Sequence, residues 1–372
     1  MTAAGAPLSV ILAGGGTAGH VNPLLSVADA LRRREPDSIL TVLGTSAGLE
    51  ARLVPDRGYR LVTVPKAPFP RRPNRASIAF PAALRSAVRV ARAAIEEVHA
   101  DVVVGFGGYV ATPAYLAART ARVPIVVHEQ NARPGLANRL GARMGAVVAT
   151  TFEQTPLPHA QALGMPLRHE ISILDRVAMR AEARAAFGLD PARPTVLVTG
   201  GSLGAHRLNA AFAGASKELT AAGVQVLHLT GAGKDVEVPP GAHVDGPKSG
   251  RYVTQAYTDR MDLAYATADL AVCRAGAGTV CELAAVGLPA VYVPLPIGNG
   301  EQRLNAAGVV RAGGGLLVED AEVSADWVRA TIVPLMRDPQ RLQRMSVAAA
   351  SAGERHADEA IVDLVLRAAE RS

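Results

Sequence analysis

The stretch Ala13-Gly14-Gly15-Gly16-Thr17-Ala18-Gly19-His20 decides how the rest of the chain is read. It follows the apolar run Leu8 to Leu12 and leads into a helical pattern that opens near Pro23. A strand feeding a glycine loop and then a helix can bring bare backbone N–H groups against a phosphate or a sugar, because only a residue without Cβ lets the main chain come that close. The loop also contains Gly14-x-Gly16-x-x-Gly19, the dinucleotide fingerprint. That pattern carries weight only with an acidic residue about 20 positions on, at the end of the next strand, to hold the ribose hydroxyls. The next strand, Ile39 to Leu43, runs into Gly44-Thr45; Glu35 and Asp37 precede it and Glu50 lies well beyond it. A nicotinamide oxidoreductase therefore loses its anchor. A plain tight turn is the other reading, and a histidine directly behind the loop argues against it.

Outward from the loop, short Val/Ile/Leu-rich runs alternate with helical patterns. The strands expected in the first half are Leu8 to Leu12, Ile39 to Leu43, Arg60 to Val64, Val102 to Gly105, Ile125 to His128 and Val147 to Ala149. Continuous apolar runs of this kind suit a parallel sheet covered on both faces. Prolines and Gly164 break the rhythm between Pro156 and Pro166, and a second series follows: Thr195 to Thr199, Val224 to Leu229, Leu270 to Cys273, Ala290 to Val293 and Gly315 to Val318. Its first strand enters Gly200-Gly201-Ser202-Leu203-Gly204-Ala205-His206, which repeats the order strand, double glycine, hydroxyl residue, glycine, helix. The expectation is an α/β chain of two Rossmann-like, doubly wound domains, residues 1–165 and 166–354, whose glycine loops flank one cleft beyond the strand ends. A helix over about residues 355–372 is expected to pack back on the first domain.

Composition narrows the class. Of 372 residues, 49% are hydrophobic and only 4% aromatic, so the cores are aliphatic. Lys plus Arg number 39 against 33 Asp plus Glu, a net +6 that is too mild for this length to argue for nucleic acid. Cys273 and Cys281 read as reduced thiols rather than a disulfide or metal pair. The N-terminal apolar run lacks a basic lead and ends in the glycine loop, unlike a signal peptide. Val102 to Ala118 is uncharged but holds Gly105, Gly107, Gly108 and Pro113, which makes it a strand, a loop and a helix start rather than a membrane span.

Three further stretches carry chemistry. Arg274-Ala275-Gly276-Ala277-Gly278-Thr279-Val280-Cys281-Glu282 follows a strand and opens a helix, so its N–H groups form an anion site. Thr279 with Glu282 has the spacing of a capping box; alternatively, the Glu282 carboxylate accepts hydrogen bonds from a ribose diol. Gly105-Phe106-Gly107-Gly108-Tyr109 and His128-Glu129-Gln130-Asn131 each end a strand of the first half, dense in glycines and polar groups beside the first loop.

These motifs, together with Gly164-Met165-Pro166-Leu167-Arg168, Gly200-Gly201-Ser202, Cys273-Arg274-Ala275-Gly276 and Gly300-Glu301-Gln302-Arg303-Leu304-Asn305, resemble those of the lipid II-forming glycosyltransferases of peptidoglycan synthesis, glycosyltransferase family 28 of the GT-B superfamily. The likeness runs in order from the first strand to beyond Gly315. It implies inverting transfer of N-acetylglucosamine from UDP-GlcNAc to the C4 hydroxyl of MurNAc in undecaprenyl-pyrophosphoryl-MurNAc-pentapeptide (lipid I), with the donor on the second domain and the acceptor on the first. The runner-up is a related GT-B transferase acting on another lipid or a small aglycone.

The resemblance implies that Thr17, Ala18, Gly19 and Asn131 approach the transferred sugar and that Arg168 and Ser202 meet the diphosphate. Thr258 is then placed for the uracil edge, Ala277, Gly278, Thr279, Val280, Cys281 and Glu282 for phosphate and ribose, and Gln302 for the sugar. Gly107, Gly108, Tyr109, His128 and Glu129 fall on the acceptor side. Leu203, where a Gln is common, and Gly278 and Cys281, where bulkier or hydroxyl residues are often seen, depart from the pattern.

His20, behind the loop and with an ordinary pKa near working pH, is the candidate general base or the group that orients the acceptor hydroxyl; a histidine that only caps the following helix is the other reading. No Asp-x-Asp metal motif occurs, so no metal or other cofactor is expected; helix N-termini and Arg168 should meet the leaving diphosphate. A non-catalytic nucleotide-sugar-binding protein would differ by binding UDP without turnover. Finally, no acidic residue lies between Lys66 and Ile95, where Lys66, Arg71, Arg72, Arg75, Arg85, Arg89 and Arg92 accumulate beside Phe69, Ile78, Phe80 and Leu84. A solvated helix face is one reading. The other, adopted here, is peripheral attachment of the first domain to the anionic cytoplasmic face of the cell membrane.

Overall fold

The structure, a computed structural model, describes residues 7–67, 75–201, 204–234, 236–237, 249–297 and 299–370, with the helix backbone alone at 75–78. The chain divides into two compact units, Met1–Arg168 with Arg355–Ser372, and His169–Glu354.

In the first unit the strands are β1 (Ser9–Ala13), β2 (Ile39–Gly44), β3 (Arg60–Thr63), β4 (Val102–Gly105), β5 (Ile125–Glu129), β6 (Val147–Thr150) and β7 (Gln161–Ala162). Among the described residues they form one parallel sheet in the order β3-β2-β1-β4-β5-β6-β7. β1, β4 and β5 are buried along their whole length, which is why they read as unbroken apolar runs: Val102, Val103 and Val104 supply branched side chains to both faces. The helices are α1 (Ala18–Arg34), α2 (Glu50–Asp56), α3 (Arg75–Glu97), α4 (Gly108–Ala121) and α5 (Leu136–Arg143). One face of the sheet is covered by α1 and by the C-terminal helix Ala357–Ala369, through Leu24, Ala28, Ile361, Val362 and Val365; the other is covered by α3 and α4. Arg33 reaches Asp358 of the C-terminal helix at 3.0 Å, and Arg34 pairs with Asp363.

The second unit carries β8 (Thr195–Thr199), β9 (Gln225–Leu229), β10 (Tyr252–Gln255), β11 (Leu270–Cys273), β12 (Ala290–Tyr292) and β13 (Gly315–Leu317), parallel and ordered β10-β9-β8-β11-β12-β13. Its helices include α6 (His169–Ser172), α7 (Arg176–Ala186), α8 (His206–Gly214), α9 (Ser216–Ala221), α10 (Met261–Thr267), α11 (Ala277–Ala285) and α12 (Glu301–Arg311). In each sheet the order reverses beside the first strand, between β1 and β4 and between β8 and β11. Loops leaving the carboxyl ends of those strands flank a switch point, the place where such sheets take ligands.

Three elements differ from what the sequence led one to expect. β10 and the two-residue β7 have no apolar run to announce them: β10 is an edge strand in which only Tyr252 is buried, and β7 is exposed. α1 begins at Ala18, five residues before Pro23, because Thr17 takes the extended N-cap conformation (φ −132°, ψ 158°) and the helix runs through the proline. His20 therefore sits within the first helical turn. At the C-terminal end Pro339–Ser351 is a helix of the second unit and Ala357–Ala369 a helix of the first.

Candidate active site

In the first unit the site grows from the loop after β1. Gly16 adopts φ +91°, which suits a residue without Cβ, and releases the chain to the Thr17 N-cap. The Thr17 hydroxyl and His20 Nδ1 lie 3.1 Å apart, and the Thr17 carbonyl accepts the His20 N–H at 3.1 Å. The imidazole lies against Gly107: a Cβ built there would come within 3.2 Å of His20 Cδ2 and 3.3 Å of Nε2. Gly108 packs as closely on the first loop, since a Cβ there would meet the Gly15 carbonyl oxygen at 2.7 Å. Burial lowers the His20 pKa, with the Glu50 charge and the Gly15 carbonyl opposing. The ring is therefore neutral at working pH and has a lone pair to offer.

Beneath this surface, His128 and Glu129 are buried, and they build the floor instead of lining it. Glu129 accepts hydrogen bonds from the Asn131 N–H (3.0 Å), the Gly135 N–H (3.0 Å) and Asn138 Nδ2 (2.9 Å), so it ties down the turn that presents Asn131. Burial raises its pKa, against those donors. Asn138 also bonds the His128 carbonyl and accepts from Tyr115 Oη at 2.8 Å. His128 Nε2 lies 3.0 Å from the Gly164 carbonyl, and burial drops its pKa to about 4, which marks a neutral structural ring. Tyr109 is exposed at the start of α4. Arg168, half-buried, ends this unit.

The second unit places its loops likewise. After β8, Gly201 N–H bonds Thr199 Oγ1 and Gly204 N–H bonds the Gly201 carbonyl; Ser202 and Leu203 lie outside the described residues. After β11, Gly276 is the N-cap of α11, which puts Ala277, Gly278 and Thr279 in its first turn. Thr279 is thus inside the helix, so the capping box is not formed. Glu282 instead accepts a hydrogen bond from Tyr265 Oη of α10 at 2.6 Å, an anchor with no signal in the local sequence. A Cβ on Gly276 or Gly278 would meet open space, so the helix mouth is uncovered within this unit. Gln302 Oε1 accepts from the Ala275 and Leu295 N–H groups (3.2 and 2.9 Å), and Asn305 reaches the Ala275 carbonyl. Arg274 pairs with Asp320 at 2.7 Å, which Arg207 of α8 also meets. Thr258 Oγ1 accepts the Arg260 N–H, a local turn. Cys281 is no nucleophile, because burial and the Glu282 charge push its thiol up to about 12.

Two parallel-sheet units in one chain, each with its glycine loops at the switch point, are the GT-B architecture. Residues 10–150 match the glycosyltransferase family 28 N-terminal domain and residues 195–361 the family's C-terminal domain. The chain belongs to glycosyltransferase family 28. It is 56% identical over 359 residues (96% of the chain, 98% of the relative) to a Nocardioides protein named "UDP-N-acetylglucosamine--N-acetylmuramyl-(pentapeptide) pyrophosphoryl-undecaprenol N-acetylglucosamine transferase". A Streptomyces avermitilis protein of the same name is 54% identical over 361 residues (97% of the chain, 98% of the relative). The crystal structure of Acinetobacter baumannii MurG aligns with a TM-score of 0.77 at 30% identity, covering 97% of this chain and 100% of that one.

Proposed function

We propose that this chain transfers N-acetylglucosamine from UDP-N-acetylglucosamine to the C4 hydroxyl of the MurNAc unit of undecaprenyl-pyrophosphoryl-MurNAc-pentapeptide, with UDP as the other product. The observation that carries this is identity of 54% and 56% along almost the whole length to relatives bearing that name. The acceptor oxygen attacks the anomeric carbon as the bond to the UDP oxygen breaks, its proton passes to the His20 ring, and the single displacement inverts the α-linked donor to a β product. The first unit supplies that base; its Thr17, Ala18, Gly19 and Asn131 approach the transferred sugar, and Gly107, Gly108 and Tyr109 form the acceptor side, over the buried His128 and Glu129. The second holds the donor: main-chain N–H groups at the start of α11 take the diphosphate, Glu282 takes the ribose, the main chain at Thr258 takes the uracil, and the Gln302 amide meets the sugar; Arg168, at the end of the first unit's main segment, is assigned to the diphosphate as well. Radiolabelled GlcNAc transfer to a lipid I analogue tests it; UDP binding without transfer would leave a binding protein only, and transfer to a different acceptor would point to another GT-B transferase.

The acceptor stays in a bilayer, and no helix among the described residues is long and apolar enough to cross one. Peripheral attachment at the cytoplasmic membrane face through α3 is part of the proposal. Arg85, Arg89 and Arg92 are exposed on that helix, and Arg92 also pairs with Glu96. Phe80 and Leu84, expected from the sequence to dip into the lipid, are packed against the first unit's core, so charge is the main attraction; Phe69, Arg71, Arg72 and the side chains of Arg75 and Ile78 lie outside the described residues. Each basic residue near an anionic leaflet contributes about 1 kcal/mol. In co-sedimentation, vesicles with anionic lipid should retain the protein, less so in salt and less for Arg85→Glu/Arg89→Glu; equal retention on neutral vesicles would refute the charge-based docking.

A further inference from the structure

The first glycine loop rests on a carboxylate that lies too far along the sequence to serve as a ribose anchor. Glu50, the first residue of α2, is fully buried. One oxygen accepts the Gly16 N–H at 2.9 Å, and the other accepts both the Thr45 N–H (2.9 Å) and the Thr45 hydroxyl (2.7 Å). The glycines around it leave it room. A Cβ would come within 2.4 Å of Glu50 at Gly15, 2.6 Å at Gly44 and 2.1 Å at Gly48. The carboxylate thus joins the end of β1 to the end of β2 and already holds the Gly16 N–H, a group that in other strand–glycine–helix units faces a ligand phosphate. Burial alone would raise its pKa, but the Gly16 N–H and the Thr45 donors more than offset this, so it stays ionised below the usual carboxylate range.

We infer that Glu50 is the positioning residue of this loop: its buried carboxylate occupies the place of an anionic ligand behind Gly16 and fixes the main chain from which Thr17 and His20 project toward the acceptor. From Gly16, one residue leads to the Thr17 N-cap, and Thr17 in turn holds His20 through both its carbonyl and its hydroxyl. Freeing Gly16 therefore lets the first turn of α1 drift. A misplacement of about 1 Å at a reacting group costs roughly 100-fold in rate. The inference deepens the reading of His20 as the base and rests on it for the chemical step.

Glu50→Gln keeps the volume and one acceptor oxygen for Thr45 but turns an NH2 toward the Gly16 N–H, donor against donor. Its kcat should fall roughly 30- to 100-fold, while UDP affinity, a property assigned to the second unit, stays within about twofold by calorimetry. Thr45→Val removes a Glu50 hydrogen bond without touching the loop; it should lower the melting temperature yet keep kcat within about threefold. Parent-like kcat in Glu50→Gln would overturn the inference. So would losses of kcat in both variants that simply follow their melting temperatures, because that is the mark of a structural brace alone. His20→Ala run alongside separates the two ideas: full activity there defeats the base assignment, and the Glu50→Gln and Thr45→Val pair still decides whether the loop needs its carboxylate.

Discussion

The two glycine loops begin with the same run of residue types and are finished differently. After β1, a side chain from the next βα connection, Glu50, plugs the back of the loop, and the first turn of the following helix carries a neutral imidazole. After β8 and β11, the described loop residues are tied to main chain or to hydroxyl and amide groups: Thr199 to Gly201, Gln302 and Asn305 to Ala275. Among the described residues no carboxylate accepts from the N–H of Gly200, Gly201, Gly204 or Ala277. On the proposed function, one βα unit takes a proton and its counterpart holds a diphosphate. On that reading the difference lies in what fills the anion place: the internal Glu50 carboxylate in the first unit and, by proposal, the donor diphosphate in the second.

Removing the imidazole should break the comparison most sharply. His20→Ala is expected to lower kcat by roughly 10²–10⁴ with UDP affinity unchanged, measured by transfer kinetics and calorimetry on the same preparation. Because burial lowers the His20 pKa, the parent's kcat/KM should hold as pH falls past 6.5 before it declines. Lost UDP binding would move His20 to the donor side.

The mirror experiment acts on the second unit. Glu282→Gln weakens a charge-assisted bond to the ribose, about 1.5–3 kcal/mol, so UDP affinity should drop by about an order of magnitude or more while kcat at saturating donor changes little. Tyr265→Phe, which frees the Glu282 carboxylate from its 2.6 Å partner, should give a smaller loss in the same direction. Unchanged affinity with a lowered melting temperature would leave Glu282 a structural residue.

The last test concerns a feature the units share. Each buries a neutral histidine on one of its strands: His128 against the Gly164 carbonyl, and His228 between Tyr252 Oη (2.7 Å) and Asn209 Oδ1 (3.1 Å). Burial drops both to about 4 from an ordinary 6.5. Between those values the unfolded chain binds more protons than the folded one, so the stability contributed is complete above pH 6.5 and lost as pH falls toward 4. Each ring then gives up about 1.4 kcal/mol for every tenfold rise in proton concentration across that window. Melting temperatures followed from neutral pH down to 4 should decline accordingly; a flat profile would mean that neither ring is held neutral.

By itself the sequence determined the central strands, because a parallel sheet buried on both faces demands continuous apolar runs, and β1, β4, β8 and β11 carry them, whereas the edge strands β7 and β10 do not. It also located the glycine loops and His20, since close main-chain approach requires residues without Cβ at particular places. Long-range pairing was beyond it. Glu50 is 34 residues from Gly16, and its role depends on β1 and β2 lying side by side. Likewise, Glu282 reads as a cap from its three-residue spacing to Thr279, and only the packing of α10 on the second unit brings Tyr265 to its carboxylate. Phe80 and Leu84 look like lipid anchors in a basic stretch until α3 packs them, partly buried, against the core. Local spacing records which face of an element is apolar. Which buried charge meets which donor is set by the crossing of elements far apart in the chain, and only the tertiary structure decides that.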